Sequence, residues 1–136
     1  MKPITIEISI NVPIEKVWKY WNEPGHVTQW AFASDDWEAP SATNDLVVGG
    51  KFVTTMAAKD KSVSFDFSGT YTNIITNEVI EYIMDDARTV TVKFETIGDM
   101  TKITETFDPE TENSEEMQRV GWQAILDNFK KYIESN

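Results

Sequence analysis

Apolar residues recur at helical spacing in the last stretch of the chain, residues 114–135. Positions i, i+4, i+7 and i+11 share one face of a helix, and here they hold Trp122, Leu126, Phe129 and Ile133. Asn113 and Glu116 fit a capping box at the start of this helix. So long an apolar helix needs an extended surface to lie on. We therefore predict that a sheet wraps around it.

The N-terminal region begins with a strict alternation, because the isoleucines at positions 4, 6, 8 and 10 are separated by polar residues. Such a period of two is typical of a half-buried strand. Pro13 then stops the strand, and a short helix follows whose apolar face holds Ile14, Val17, Trp18 and Trp21. Pro24 opens a second, briefer helix with Val27 and Trp30 on one face.

Residues 31–52 have no regular pattern, and their Asp, Asn, Pro and Gly residues predict loops and turns. From Lys51 onward, short alternating segments separated by turn residues predict an antiparallel meander of five strands. With the first strand, this makes a sheet of about six strands. Gly69 lies inside one of these segments and indicates a bulge or a bend.

Glu105 is the one charged residue that breaks the alternation, because it lies between the inward positions of Ile103 and Phe107. A buried carboxylate is costly unless it is paired or hydrogen-bonded. A bulge that turns it outward, or a hydrogen bond to a nearby donor, is the more common solution. The alternative is that Glu105 is a polar group in a ligand cavity.

Composition limits the classes of function. A chain of 136 residues with 40% hydrophobic content is predicted to be a single domain, residues 1–136. Its net charge of −11 argues against nucleic-acid binding, which needs a basic surface. The absence of cysteine excludes disulfides and thiol chemistry. With neither a signal-like start nor a membrane-spanning segment, we expect a cytoplasmic protein.

Catalytic motifs are scarce. His26 is the only histidine, which excludes a histidine-rich metal site, and we expect it to be a surface or capping residue. The Asp35-Asp36 and Asp85-Asp86 pairs lie in predicted turns, where acidic residues are usually solvated. We therefore predict no catalytic residue, no metal and no cofactor, and consider an enzyme less expected than a binding protein.

Four blocks of sequence resemble a known family. PIEKVWKYWNEPGHVTQW, GGKF, FSGTY and GWQAILDNFKKYIE, in this order, are similar to the recurring blocks of the activator of heat-shock protein 90 ATPase homologue family. That family belongs to the START-like, helix-grip superfamily, also called Bet v-type or SRPBCC. The resemblance implies an α+β helix-grip fold: a curved antiparallel sheet around a long C-terminal helix, with two short helices after the first strand.

The resemblance also implies a cavity between sheet and helix that often holds an apolar ligand. Its expected lining includes Glu105 and, from the sheet, Phe52, Met56, Phe65, Phe67, Tyr71, Tyr82, Met84 and Phe94. The helix would add Met117, Trp122, Ile125, Leu126 and Phe129, while Trp30, Phe32 and Trp37 would lie near the entrance. The alternative is that these side chains simply fill the core.

Three functions follow from the resemblance. The first is binding of a small apolar or aromatic molecule. The second is a polyketide cyclase- or hydrolase-like enzyme acting on a substrate in the cavity, and the third is a partner module of a chaperone ATPase. The sequence leaves open whether the protein is a monomer or a homodimer.

Overall fold

The structure is a computed structural model that describes residues 2–136. The predicted domain therefore includes one residue, Met1, that lies outside the described residues. The elements follow one another as β1 (Ile4–Ile10), α1 (Ile14–Asn22), α2 (Pro24–Trp30), β2 (Trp37–Asn44), β3 (Lys51–Ala58), β4 (Ser64–Ile75), β5 (Val79–Met84), β6 (Thr89–Ile97), β7 (Met100–Phe107) and α3 (Glu115–Glu134).

All seven strands form one antiparallel sheet in the order β1-β7-β6-β5-β4-β3-β2. The meander runs from β2 to β7, and β1 then adds beside β7, so the first and last strands are neighbours. The sheet curls around α3, and α1 and α2 follow β1. These features confirm the predicted α+β helix-grip fold.

The strand β2 corrects the prediction, which treated its residues as part of an irregular loop and gave about six strands. Its sequence, WEAPSATN, lacks the apolar alternation of the other strands. Proline is tolerated at a sheet edge, where one side of the strand needs no partner. β2 is such an edge strand, and its register with β3 shifts between Glu38 and Ser41, on either side of Pro40.

Helix α3 begins one residue later than predicted and has a different cap. The Ser114 side chain, not that of Asn113, accepts a hydrogen bond from the Met117 backbone N–H at 3.1 Å. This bond satisfies one of the free N–H groups of the first turn. The Asn113 amide instead donates to the Glu110 carboxylate at 2.9 Å.

Side chains of α3 also cover the open edge of β1. Arg119 Nη1 donates to the Thr5 carbonyl at 3.1 Å, and Gln123 Nε2 donates to the Glu7 carbonyl at 3.3 Å. Farther along, the Asn11 backbone N–H donates to Glu134 Oε2 at 2.9 Å. Edge carbonyls and N–H groups that would face solvent therefore bond to the helix.

The short helices fill one half of the space between sheet and α3 with large rings. Trp21 packs against Trp30, Phe94 and Phe129, with ring centroids 4.9, 5.9 and 5.1 Å apart. Trp18 packs edge-on against Phe94 at 5.2 Å. This cluster is a solid core beneath the C-terminal half of α3. No helix in residues 2–136 combines the length and apolar character needed to span a bilayer.

Gly69 does not form the predicted bulge, because the register of β4 and β5 shifts farther on, between Tyr71 and Asn73. Instead, it allows neighbouring side chains to pack closely. A Cβ atom at Gly69 would lie 2.9 Å from Phe52 Cε1, 3.0 Å from the Ile83 carbonyl and 3.0 Å from Tyr82 Cδ2. Only glycine leaves room there for both rings.

We expect Gly69→Ala to lower the free energy of unfolding by about 1–3 kcal/mol, because the added methyl group overpacks two rings and a carbonyl. The matched control is Gly121→Ala in α3, where a Cβ meets nothing within 4 Å. That change should raise stability by up to about 1 kcal/mol through helix propensity. Urea unfolding of both variants checks this pair, and equal effects of the two substitutions would contradict it.

Candidate functional site

A cavity of about 350 Å³ lies between the sheet and the N-terminal half of α3. Strands β2 to β5 and β7, the three helices and three loops contribute its lining, which comprises Trp21, Asn22, Pro24, Val27, Trp30, Ala31, Ala42, Thr43, Asn44, Phe52, Thr54, Met56, Phe65, Phe67, Tyr71, Ile80, Tyr82, Arg88, Glu105, Glu110, Asn113, Gln118, Trp122 and Ile125. The core of this protein is therefore only partly filled.

The sheet wall of the cavity consists mainly of aromatic rings. Phe52 contacts Tyr82 at 4.7 Å, Tyr71 at 5.5 Å and Phe67 at 5.7 Å between ring centroids. Alternation along β3, β4 and β5 turns these side chains to the same, concave face. Much of the sheet wall is therefore apolar ring surface.

Trp122 forms the helix wall. Its indole stacks on Phe107 with centroids 3.9 Å apart and planes at 6°. It also meets Phe67 edge-on at 5.7 Å. Phe107 belongs to β7 and Phe67 to β4, so one side chain of the helix bridges strands on both sides of the curl.

A chain of polar side chains closes one end of the cavity. The Tyr71 hydroxyl donates to Asn44 Oδ1 at 2.6 Å, and Asn44 Nδ2 donates to the Asn22 carbonyl at 2.8 Å. Asn22 Nδ2 in turn donates to the Trp18 carbonyl at 2.9 Å. These bonds connect β4, β2 and the end of α1, and they occupy the hydroxyl group of Tyr71.

Gln118 closes the other end. Its Nε2 atom donates to the carbonyls of Glu110 and Asn113, both at 3.0 Å, and its Oε1 atom accepts from the Glu110 N–H at 2.8 Å. Arg88 lies at this end, where its Nε atom donates to Asp86 Oδ2 at 2.7 Å. The polar groups at both ends are thus largely satisfied by the protein itself.

Glu105 differs from these groups. The register of β7 with β1 and β6 is continuous, with Glu105 opposite Ile6 and Val92, so no bulge turns it outward. The side chain is only 6% exposed and lines the cavity, and no donor within residues 2–136 hydrogen-bonds to it. Burial raises the pKa of Glu105 to about 8. Of the alternatives predicted from the sequence, the structure agrees with the one in which the Glu105 carboxyl group faces a cavity.

Most of the predicted lining residues surround the cavity, namely Trp30, Phe52, Met56, Phe65, Phe67, Tyr71, Tyr82, Glu105, Trp122 and Ile125. The others do not. Met84, Phe94, Leu126 and Phe129 are buried in the hydrophobic core and do not line the cavity.

Three further residues were predicted in or near the cavity but lie outside its lining. Met117 is 64% exposed, because the first turn of α3 presents this residue to solvent. Phe32 packs against the core after α2, and Trp37 packs on Phe65 at 5.9 Å, at the outer edge of the cavity.

Several lining residues were not predicted. Thr54 and Ile80 share the alternation of Phe52 and Tyr82, so the period of two could have identified them. Asn22, Asn44 and Arg88 have no comparable signal, because their position depends on contacts between distant segments.

His26 is neither a cap nor a free surface residue, contrary to expectation. It lies within α2, stacks on Tyr20 with centroids 3.8 Å apart, and its Nδ1 atom is 2.8 Å from the Tyr132 hydroxyl. The ring therefore joins α2 to α3. In the described residues, no three His, Asp or Glu side chains converge on a point that could hold a metal ion.

A curled sheet around a long C-terminal helix, with two short helices after the first strand and a cavity between sheet and helix, defines the chain as a helix-grip protein. The family model described as "Activator of Hsp90 ATPase homolog 1-like protein" matches residues 11–134. The chain belongs to this family. Proteins of this fold commonly bind ligands in such a cavity.

Solved structures agree with this assignment. An AHSA1-like protein of Aeromonas hydrophila is 45% identical with a TM-score of 0.89, and the match covers 97% of this chain and 93% of that one. A protein of Cytophaga hutchinsonii is 54% identical with a TM-score of 0.85, covering 98% and 93%. A Nitrosomonas europaea protein is 18% identical and shares the fold, with a TM-score of 0.85 and coverage of 98% and 95%. The search of curated proteins found no match.

We expect Glu105→Gln to change how stability depends on pH. The pKa of Glu105 is raised from 4.5 to about 8, so the folded state holds a proton that the unfolded state releases. The stability from this bound proton is fully present below the unfolded-state pKa of 4.5. It is lost as pH rises to about 8, by up to about 1.4 kcal/mol per pH unit. Urea unfolding from acid to mildly alkaline pH should show this decline in the natural protein and a flatter profile in the variant.

The matched control is Glu95→Gln, which removes an exposed carboxylate on the convex face of the sheet. It should leave the decline intact. A decline that persists unchanged in Glu105→Gln would show that other groups cause it.

Proposed function

We propose that the protein binds a small apolar or aromatic molecule in the cavity between the sheet and α3. The observation that carries this proposal is the aromatic-lined cavity of about 350 Å³ beside the hydrophobic core. Empty space in a protein interior costs dispersion contacts and stability, so a void of this size calls for an explanation. A ligand supplies one.

The size and chemistry of the cavity support this function. Ligand pockets have volumes from about 300 Å³ upward, with apolar walls and a few placed polar groups. Here Phe52, Phe67 and Trp122 provide apolar wall, and Glu105 provides a polar group. The common use of the fold for ligand binding supports the same function.

An enzyme of the cyclase or hydrolase type is the second candidate, and Glu105 is the observation that favours it. A buried carboxyl group with a pKa near neutrality is a suitable general acid or base. If the cavity-bound molecule were a substrate, Glu105→Gln would abolish its turnover while the molecule still bound. The chaperone-partner hypothesis remains a prediction from the resemblance, since no contact or surface in residues 2–136 favours it over the other two.

The test is native mass spectrometry of freshly purified protein, compared with its denatured mass. We expect a discrete excess mass that is lost on denaturation, because an apolar ligand held between the sheet and α3 dissociates slowly. The size of the excess would also give the mass of the ligand.

Two variants test whether the excess mass comes from a ligand bound in the cavity. Thr54→Phe places a ring in the cavity and should abolish the excess, whereas Thr91→Phe places the same ring on the convex face and should leave it. If the natural protein carries no excess and does not take up small aromatic molecules, the proposed function is wrong.

A further inference from the structure

Among the polar groups that line the cavity, the Glu105 carboxyl group and the Tyr82 hydroxyl have no hydrogen-bond partner in residues 2–136. Glu105 is only 6% exposed, and no hydrogen bond joins its carboxyl group to any donor in residues 2–136. The Tyr82 hydroxyl, on a side chain 7% exposed, likewise has no hydrogen-bond partner in that range. Both side chains line the cavity, so a molecule in the cavity can supply their hydrogen-bond partners.

The surroundings of Glu105 determine its charge. Its strand neighbours, Ile6 on β1 and Val92 on β6, are apolar, and α3 contributes no titratable group to the cavity. The titratable groups on the other walls are Tyr82 on β5 and Tyr71 on β4, whose hydroxyl already bonds to Asn44.

The other charged groups of the cavity lie at one end and have partners of their own. The Arg88 guanidinium bonds to Asp86 at 2.7 Å. The Glu110 carboxylate accepts from the N–H of Glu112 and from the N–H and side chain of Asn113. Among residues 2–136, no cation pairs with the Glu105 carboxyl group, and burial raises its pKa to about 8. At neutral pH the group is a carboxylic acid, which can donate its O–H.

We propose that the cavity selects an uncharged, mainly aromatic molecule with a hydrogen-bond-accepting oxygen, such as a ketone, and that Glu105 donates the hydrogen bond to this oxygen. This inference rests on the proposed ligand-binding function and specifies the ligand class. The hydroxyls of Tyr82 and Thr54 also line the cavity and have free hydrogen-bonding capacity.

Two other ligand classes fit the cavity less well. A hydrocarbon would leave the Glu105 O–H buried without an acceptor, which carries a desolvation penalty. A cationic amine would require Glu105 to ionise among aromatic walls and would itself lose its hydration. A neutral ligand with a hydrogen-bond acceptor pairs with protonated Glu105, so Glu105 does not have to ionise.

Three naphthalene derivatives of nearly the same shape separate these classes: methyl naphthyl ketone, isopropylnaphthalene and the protonated naphthylethylamine. Isothermal titration calorimetry at neutral pH should show the ketone binding about tenfold or more tightly than the hydrocarbon, and the ammonium binding weakest. Above pH 8 the affinity for the ketone should fall, because Glu105 ionises and ceases to be a donor.

Variants of Glu105 give the second measurement. In Glu105→Gln the amide N–H replaces the acid as donor, so ketone affinity should stay within about threefold and lose its alkaline decline. Glu105→Leu has no donor and should bind the ketone about tenfold less tightly while binding the hydrocarbon at least as well. Glu95→Leu, on the convex face, should change neither affinity.

Each other outcome overturns the inference. Equal affinity for ketone and hydrocarbon, unaffected by Glu105→Leu, would mean that Glu105 forms no hydrogen bond with the ligand. The cavity would still be a binding site. Preferred binding of the ammonium, lost in Glu105→Gln, would make Glu105 the partner of a cation. If none of the three compounds binds and the purified protein carries no excess mass, the inference fails together with the proposed function.

Discussion

The cavity depends on the contact of Trp122 with two strands that lie on opposite sides of the curl. The indole stacks on Phe107 in β7 and meets Phe67 in β4, so it attaches the helix to the sheet and also keeps the two apart. Beneath the C-terminal half of α3, the tryptophans of α1 and α2 fill the space. Within the described part of the chain, no comparable element packs beneath the N-terminal half. One helix therefore covers a solid core at one end and a void at the other.

Periodicity sufficed for most of the fold, because elements that bury one face must repeat their apolar residues at a fixed spacing. It failed at β2, whose sequence has no such repeat. An edge strand needs a partner on one side only, and Pro40 is acceptable there. It also failed at the start of α3. Ser114 and Asn113 are both good caps by residue type, and only the position of Glu110, which accepts from Asn113, distinguishes them.

The site was less predictable than the fold. The alternation along β7 predicted that the Glu105 side chain points inward. Whether a bulge turns it outward, or a hydrogen-bond partner lies beside it, depended on the register of β7 with β1 and β6. Alternation also cannot separate residues that line a void from residues that fill a core. Phe94 and Tyr82 both point inward, and only the packing of Trp18 and Trp21 places Phe94 in the solid part.

The hydrogen bonds from α3 to β1 have a consequence for how copies of this protein meet. An uncovered sheet edge is a template on which another chain can add a strand, the first step toward aggregation. At β1, the carbonyls of Thr5 and Glu7 already accept from the helix. At β2, Pro40 has no N–H to offer and the register shift distorts the strand around it. Growth of the sheet from one molecule into the next is thus disfavoured at both of its ends.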